Sequence, residues 1–197
     1  LDVDADSTVS SLTVGHTTPV SIASGRTLSG AITVTAGSIR LDEAGELAST
    51  IAMSGGTLDA DNSLTLSGTL TQSGNITIDV ADNKTLTYSG AALNLGANTL
   101  TLSGEGRLSN SNALVLNNAS SKLLLSNSIT VDSVRTSLAS LGLDVDANST
   151  VSSLTVGHTT PVSIVSGRTL SGAITVTAGS IRLDEAGELA STVSMSG

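Results

Sequence analysis

The sequence predicts an all-β fold, a right-handed parallel β-helix (β-solenoid) with about seven coils in each 142-residue repeat. Three observations predict it: a long internal duplication, an alternation of aliphatic and polar residues, and the near absence of aromatic residues. Residues 1–55 return as residues 143–197. The two copies differ, by residues similar in size or shape, at Asp6/Asn148, Ala23/Val165, Ile51/Val193 and Ala52/Ser194. Residues 1–142 therefore form one complete solenoid repeat, and residues 143–197 start a second, near-identical repeat that continues the first.

Short period-two strings recur along the chain, with Ser, Thr, Asn, Asp and Gly between them. Such alternation places one face of a β-strand in the core and the other in water, and the intervening residues supply turns. The predicted inward residues are Leu64, Leu66, Ile76, Ile78, Leu100, Leu102, Leu114, Leu116, Leu123 and Leu125. One segment, residues 41–51, has the spacing of a helical turn, and at that length we expect a loop or one short excursion.

A solenoid suits these strands better than a sandwich does. Immunoglobulin-like sandwiches bury aromatic residues, often a Trp, whereas this chain has no Trp, no Phe and only Tyr88. Its inward residues are aliphatic side chains of nearly one size, which stack in ladders when coils lie on one another. A parallel coil needs about 20 residues, and the hexapeptide rule of left-handed β-helices is missing, so the right-handed form is expected.

Composition excludes several classes of function. The chain has 33 Ser and 27 Thr, no Cys, and a formal net charge of −9. The negative charge and the lack of aromatic platforms exclude nucleic-acid binding. No apolar run is long enough for a membrane span, and the absence of Cys removes disulfides and thiolate metal sites.

Two strings, residues 62–68 and 98–104, share the pattern Asn-Ser/Thr-Leu-Thr-Leu-Ser-Gly in a cysteine-free chain rich in Ser, Thr, Gly and Asn. In this style the chain resembles the passenger regions of bacterial autotransporters, filamentous-haemagglutinin-type proteins and giant repetitive surface proteins. The resemblance implies export to the surface of a Gram-negative bacterium, a long rod, and an adhesive or scaffolding role. It carries over no catalytic residue.

An acidic motif opens each copy of the duplication. Its residues are Asp2, Asp4 and Asp6 in the first copy and Asp144, Asp146 and Asn148 in the second. Oxygen ligands at alternate positions suit a hard cation such as calcium. The alternative is a solvated acidic strand face, with Val3 and Ala5 pointing inward. Further acids could stack into a ladder on neighbouring coils: Asp59, Asp61, Asp79 and Asp82.

Other candidate sites have weaker support. Five Thr-x-Thr pairs suggest ice binding, but their spacing is too uneven for a flat ladder; they begin at Thr33, Thr69, Thr85, Thr99 and Thr175. His16 and His158 each lie in a Gly-His-Thr-Thr-Pro turn and have no acid nearby in sequence. The pair Asp42 and Glu43 could serve sugar cleavage, but such enzymes hold sugars on aromatic faces, which this chain lacks.

We therefore expect a non-catalytic structural repeat of a long extracellular fibre, stalk or adhesin, with no cofactor apart from the calcium that the acidic motif could bind. Its expected partners are further copies of the same repeat, placed end to end. The alternative is a ligand-binding solenoid that grips ice, calcium-bridged polysaccharide or a host surface. A third class is a polysaccharide-degrading β-helix, which would need a groove lined by paired carboxylates.

Overall fold

A computed structural model of the protein describes residues 1–183 and 186–196. These residues form 23 β-strands and no helix, and all the strand pairs are parallel. The prediction of an all-β parallel β-solenoid is confirmed, while the right-handed sense stays a prediction. Three residues of the predicted second repeat, Asp184, Glu185 and Gly197, lie outside the described residues.

One strand of each coil belongs to a ten-stranded sheet, called here the first sheet. Its strands, in spatial order, are β1 (Asp2–Val3), β3 (Thr18–Ile22), β5 (Ser38–Leu41), β7 (Thr57–Ala60), β10 (Ile76–Val80), β13 (Thr99–Gly104), β16 (Lys122–Leu125), β18 (Gly142–Val145), β20 (Thr160–Ile164) and β22 (Ile181–Leu183). Within the described residues these ten strands define coils 1 to 10. Seven of them, β1 to β16, precede β18, which is the counterpart of β1, so one repeat spans seven coils.

The remaining strands form the second sheet. Its unbroken strands are β2 (Ser7–Val14), β4 (Thr27–Val34), β6 (Glu46–Met53), β17 (Thr130–Thr136), β19 (Ser149–Val156), β21 (Thr169–Val176) and β23 (Glu188–Met195). In coils 4, 5 and 6 the strand is broken in two: β8 (Leu64–Leu66) with β9 (Leu70–Gln72), β11 (Thr85–Tyr88) with β12 (Leu93–Asn94), and β14 (Arg107–Asn110) with β15 (Leu114–Leu116). Each coil is thus closed by a short strand on one side and a longer, sometimes bent, strand on the other.

Aliphatic ladders fill the interior between the two sheets. One ladder runs through Ile78, Leu102, Leu125, Val145 and Ile164, each stacked on the next in register. All ten residues predicted to point inward are buried, and the most exposed, Leu64, has 6% of its surface accessible. The predicted strand register is therefore confirmed. Aliphatic side chains of similar size repeat at the strand spacing of about 4.8 Å, which favours close packing.

The second copy continues the same two sheets. β18 pairs with β16 on one side and with β20 on the other, and β19 lies between β17 and β21. Hydrogen-bonded ladders therefore pass across residue 142 without interruption. β19, β20, β21 and β23 have the same lengths as β2, β3, β4 and β6, each 142 residues earlier.

The segment with helical spacing folds differently from that pattern. Residues 42–45 form a turn, and β6 begins at Glu46. Alternate residues of β6 point inward, including Leu47, Ile51 and Met53, because the period-two alternation governs the burial. Gly45 closes the turn tightly against Ile22, where a Cβ atom would lie 2.6 Å from Ile22 Cγ2. The expectation of a loop is therefore correct for residues 42–45 only, and no helical excursion forms.

A β-bulge recurs at the same place in both copies. The register between β19 and β21 shifts between Val151 and Leu154, so β19 holds one extra residue there. Opposite the bulge lies Gly172, with φ +131°, and a Cβ atom on this residue would lie 1.8 Å from Val151 O. Gly30 has the same role in the first copy, with φ +123°. Glycine is required here by both conformation and space.

Replacing Gly172 by Ala is expected to lower the free energy of unfolding by roughly 3 kcal/mol, because strain and a backbone clash add together. The matched control is Gly167→Ala. Gly167 has φ +77°, but apart from its own atoms and its two chain neighbours nothing lies within 4 Å of the position that an added Cβ would occupy. The Gly167→Ala protein should therefore lose only about 1 kcal/mol of unfolding free energy. Urea unfolding followed by circular dichroism measures both, and equal losses would mean that close approach at the bulge is unimportant.

Candidate functional surfaces

The acidic motif that opens each copy is not a single strand face. Asp2 lies on β1, but Asp4 and Asp6 lie in the turn that follows. Val3 is buried as expected, whereas Ala5 is exposed, because the strand ends before it. In the second copy Asp144 lies on β18 and forms an ion pair with Lys122. Asp146 and Asn148 again lie in the turn.

The last residue of the motif has a structural role. The backbone N–H of Thr27 donates to Asp6 Oδ1 at 3.1 Å, and that of Thr169 donates to Asn148 Oδ1 at 3.0 Å. Each side chain therefore satisfies the first amide of the next coil's long strand. Asp and Asn both present an oxygen acceptor, which explains why this substitution between the copies preserves the local fold.

Calcium binding at the motif stays a prediction. Within the described ranges, His, Asp and Glu side chains do not come together in a group of three or more suited to a metal ion. Calorimetric titration of the protein with calcium, repeated on Asp4→Ala/Asp146→Ala, tests the prediction. A binding heat that disappears in the variant would support it, and an equal heat in both proteins would contradict it.

A charged cluster that sequence analysis predicted only in part surrounds Arg40 on the first sheet. Arg40 Nε donates to Asp61 Oδ2 at 2.9 Å, and Nη2 lies 3.4 Å from Asp42 Oδ1. The Asp59 carboxylate is 3.7 Å from Nε. Asp59 is stacked on Asp79 in the ladder, so the predicted stacking holds for this pair. One guanidinium thus organises carboxylates from two successive coils.

Other predicted members of the acidic ladder lie elsewhere. Asp82 is in a turn after β10, where its carboxylate accepts a hydrogen bond from Asn83 at 2.9 Å. The ladder ends at Ser103, whose hydroxyl donates to Asp79. Its length is set by the coil register, which the sequence alone does not reveal.

The cluster shifts one pKa in a way that predicts a pH effect. Burial raises the pKa of Asp59, and the carboxylates of Asp61 and Asp79 raise it further, while Arg40 opposes them. The proton is therefore held more tightly in the folded state than in the unfolded state. Asp59 contributes stability when protonated, and this contribution is lost as the pH rises through its raised pKa.

Asp59→Asn, which mimics the protonated form, is expected to be more stable than the parent at pH 7. The advantage should shrink as the pH falls through the raised pKa of Asp59 and disappear well below the ordinary Asp pKa of about 3.9, where the carboxyl is protonated in both states. Thermal melting at a series of pH values measures the difference. Asp61→Asn is the control: it removes the negative charge that pairs with Arg40 and should bring no gain at pH 7. A less stable Asp59→Asn protein at pH 7 would contradict the argument.

The Thr-x-Thr pairs do not form one flat array. Thr33 stacks on Ala52, which interrupts the column before Thr71. Thr101 belongs to the first sheet, whereas Thr33 and Thr87 belong to the second. A column of three threonines that the sequence did not reveal, Thr57, Thr77 and Thr101, runs beside the acidic ladder. The threonines are therefore dispersed over both sheets.

The pair of acids considered for sugar cleavage also lies apart from a groove. Asp42 contacts Arg40, and Glu43 is exposed in the turn. A shallow groove is formed by residues 25–27, 44–46, 63–65 and Thr87, and its one carboxylate is Glu46, which accepts a hydrogen bond from Ser67 at 2.6 Å. His16 and His158 are exposed, and their carbonyl groups accept turn hydrogen bonds from Thr18 and Thr160.

Two buried polar side chains hold a corner of the second sheet that the sequence did not predict. Tyr88 and Asn110 occupy the same register position in coils 5 and 6, where the second sheet bends. Both are 2% exposed. Each side chain bonds the loop that follows it and also a neighbouring coil. Two sequence features point to these positions: Tyr88 is the one aromatic residue of the chain, and Asn110 lies at an inward position of the alternation in residues 107–110.

Among the described residues, no helix is long and apolar enough to cross a membrane. No family model, no curated protein and no solved structure matches the chain.

Proposed function

We propose that this chain is a non-catalytic structural repeat of a long extracellular fibre, stalk or adhesin on the surface of a Gram-negative bacterium. The observation that carries the proposal is that the core ladders run from the first repeat into the second without a break. Leu123 stacks on Leu143, and Val131 stacks on Val151. A fold that adds coils without a change of register builds a rod of any length.

One strand face that is buried in the first copy is exposed in the second copy. Ile51 and Met53 are 0% and 1% exposed, because coil 4 covers them. Their counterparts Val193 and Met195 are 46% and 76% exposed. The same strand is thus seen covered in one copy and open in the other. A following coil with the sequence pattern of residues 57–72 would cover it, as β8 and β9 cover β6.

The other end gives a matching argument. Val151 and Leu154 are buried because β17 lies on them. The equivalent Val9 and Leu12 on β2 are only partly buried. A preceding repeat would place its own β17 against β2. Repeats of the same 142-residue period would cover both of these strand faces, which favours a covalent array over subunits stacked in another register.

The outer surface suits a passive rod in water. Hydroxyl side chains and carboxylates alternate with the buried aliphatic residues, and the net charge is −9. Negative charge along a rod opposes side-by-side association. The sequence resemblance to bacterial surface proteins supports the extracellular location and the adhesive or scaffolding role.

Adding complete 142-residue repeats in front of the chain tests the rod. Averaged electron images should show an increase of about 34 Å in length for each added repeat, since each contributes seven coils of about 4.8 Å. Oriented samples should also diffract at about 4.8 Å along the axis. Beads with a spacing above about 40 Å and no such reflection would indicate separate domains instead.

Cell labelling tests the location. An antibody against this segment should label intact cells of the organism that makes the protein. Labelling that appears only after the cells are permeabilised would contradict the surface assignment.

A further inference from the structure

The hydrogen-bonded ladder of the second sheet is interrupted at one junction. β9 pairs with β6, and β12 pairs with β15, but no ladder joins β9 to β12 in the described structure. The other junctions between successive coils of that sheet are paired. A slot therefore separates coils 4 and 5, lined by residues 69–72 and 91–94.

The backbone groups that face the slot follow from strand alternation. Ile51 N donates to Thr69 O at 2.8 Å, and Ser73 N donates to Met53 O at 2.9 Å. The amides of Leu70 and Gln72 therefore point away from β6, toward coil 5. On the opposite wall Leu95 N donates to Val115 O at 3.0 Å, so the amide of Asn94 points back toward β9.

The slot is too narrow for another strand. Some Cα atoms of β9 and β12 lie within 8 Å of each other. Inserting a strand would need about 9.6 Å, twice the ladder spacing. The linker before β12, residues 89–92, has one residue more than the linker before β9, residues 67–69. This difference in linker length accounts for the separation of the two strands. Two strand edges thus face each other in the middle of the repeat without a backbone ladder between them.

Side chains close the two ends of the slot. At one end the Tyr88 hydroxyl donates to Ala91 O at 2.6 Å and accepts from Leu70 N at 3.2 Å. Burial raises the pKa of Tyr88, so the hydroxyl keeps its proton at neutral pH. At the other end Gln72 Nε2 donates to Thr99 O at 2.9 Å, while Gln72 Oε1 is buried without a partner.

We propose that this slot, between coils 4 and 5, is a built-in opening point of the solenoid, held closed by the Tyr88 hydroxyl. The ladders between β7 and β10 and between β8 and β11 keep the two coils together when the slot opens. Opening then widens one side of the junction, and a stiff solenoid gains a place to flex. The proposal concerns the fold of this chain and stands independently of its cellular role.

Hydrogen exchange measured by NMR on the 197-residue protein tests the proposal. In the parent, the slot amides of Gln72 and Asn94 should exchange at least tenfold faster than the ladder-bonded amides of Ser73 and Leu95. Tyr88→Phe removes the hydroxyl and keeps the ring. It should speed exchange at the Leu70 amide at least tenfold and leave the Ser126 amide, bonded to Leu102 O, unchanged.

Ser49→Ala is the matched control. Ser49 is fully buried, and its hydroxyl donates to Leu28 O at 3.2 Å, so the variant also loses one buried hydroxyl bond between coils. It should not change exchange at Leu70, Gln72 or Asn94. If the Gln72 and Asn94 amides of the parent exchange as slowly as those of Ser73 and Leu95, the proposal is overturned. This comparison uses the parent protein alone, so it holds even if Tyr88→Phe fails to fold. An unchanged Leu70 amide in a folded Tyr88→Phe protein would overturn the role of the hydroxyl.

Discussion

Leu100→Asp is expected to lower the free energy of unfolding by roughly 4 kcal/mol or more, because it places a carboxylate in the core without a partner. Leu100 is 0% exposed and lies in the ladder between Ile76 and Leu123. The aspartate would have to take up a proton or open the coil to reach water. Both routes destabilise coil 6 and its neighbours. Urea unfolding followed by circular dichroism measures the loss.

The control lies on the same strand. Thr101 points outward between Thr77 and Leu124, so Thr101→Asp leaves its charge in water. Its expected effect is within about 0.5 kcal/mol. A Leu100→Asp protein that unfolds like the parent would mean that the strand register is wrong. Losses of the same size in both variants would mean that charge on this sheet matters more than burial.

The sequence was sufficient for the features that depend on local alternation. Leu100 and Leu102 face inward because every second residue of a strand points to the same side. The duplication then placed equivalent strands at equivalent positions, and the absence of large aromatic residues indicated stacked coils of uniform width. The fold class and the inward face of each string follow from these local rules.

Contacts between coils could not be predicted, because coil length varies along the chain. The step from Arg40 to Asp59 is 19 residues, from Asp59 to Asp79 it is 20, and from Asp79 to Ser103 it is 24. An error of one residue exchanges the inward and outward faces of a stacked neighbour. The partners of Arg40 could therefore not be identified from the sequence.

The acidic motif shows the same limit at a turn. Alternation predicts that Asp2, Asp4 and Asp6 share a face, but β1 ends at Val3 and the chain turns. Beyond that point the residues follow turn geometry, and Asp6 accepts a hydrogen bond from the backbone amide of Thr27, 21 positions later. Strand ends depend on the neighbouring coil, so a motif that crosses one cannot be placed by period alone.

The corner at Asn110 combines local and inter-coil contacts in one side chain. Asn110 Nδ2 donates to Ser133 O at 2.7 Å and to Asn112 O at 3.0 Å. Its Oδ1 accepts from the amides of Asp132 and Ser133 at 3.1 and 3.2 Å. The amide side chain thus uses both donors and both acceptor positions, and it ties the bend in coil 6 to β17 in coil 7.

Asn110→Leu is therefore expected to lower the free energy of unfolding by roughly 3 kcal/mol, although Leu has a similar volume and suits the core. The loss arises because the amides of Asp132 and Ser133 and the carbonyl groups of Asn112 and Ser133 lose the hydrogen bonds that the Asn110 side chain supplies. Asn112→Ala is the control, since Asn112 is exposed and makes one side-chain bond, to Gly90 O at 2.8 Å, and should lose less than about 1 kcal/mol. Urea unfolding measures the difference in unfolding free energy between the two variants. Faster hydrogen exchange at the Asp132 and Ser133 amides would show that the loss arises at this corner. If Asn110→Leu were as stable as the parent, the bend of the second sheet would be held by aliphatic packing, and the polar corner would have no structural role.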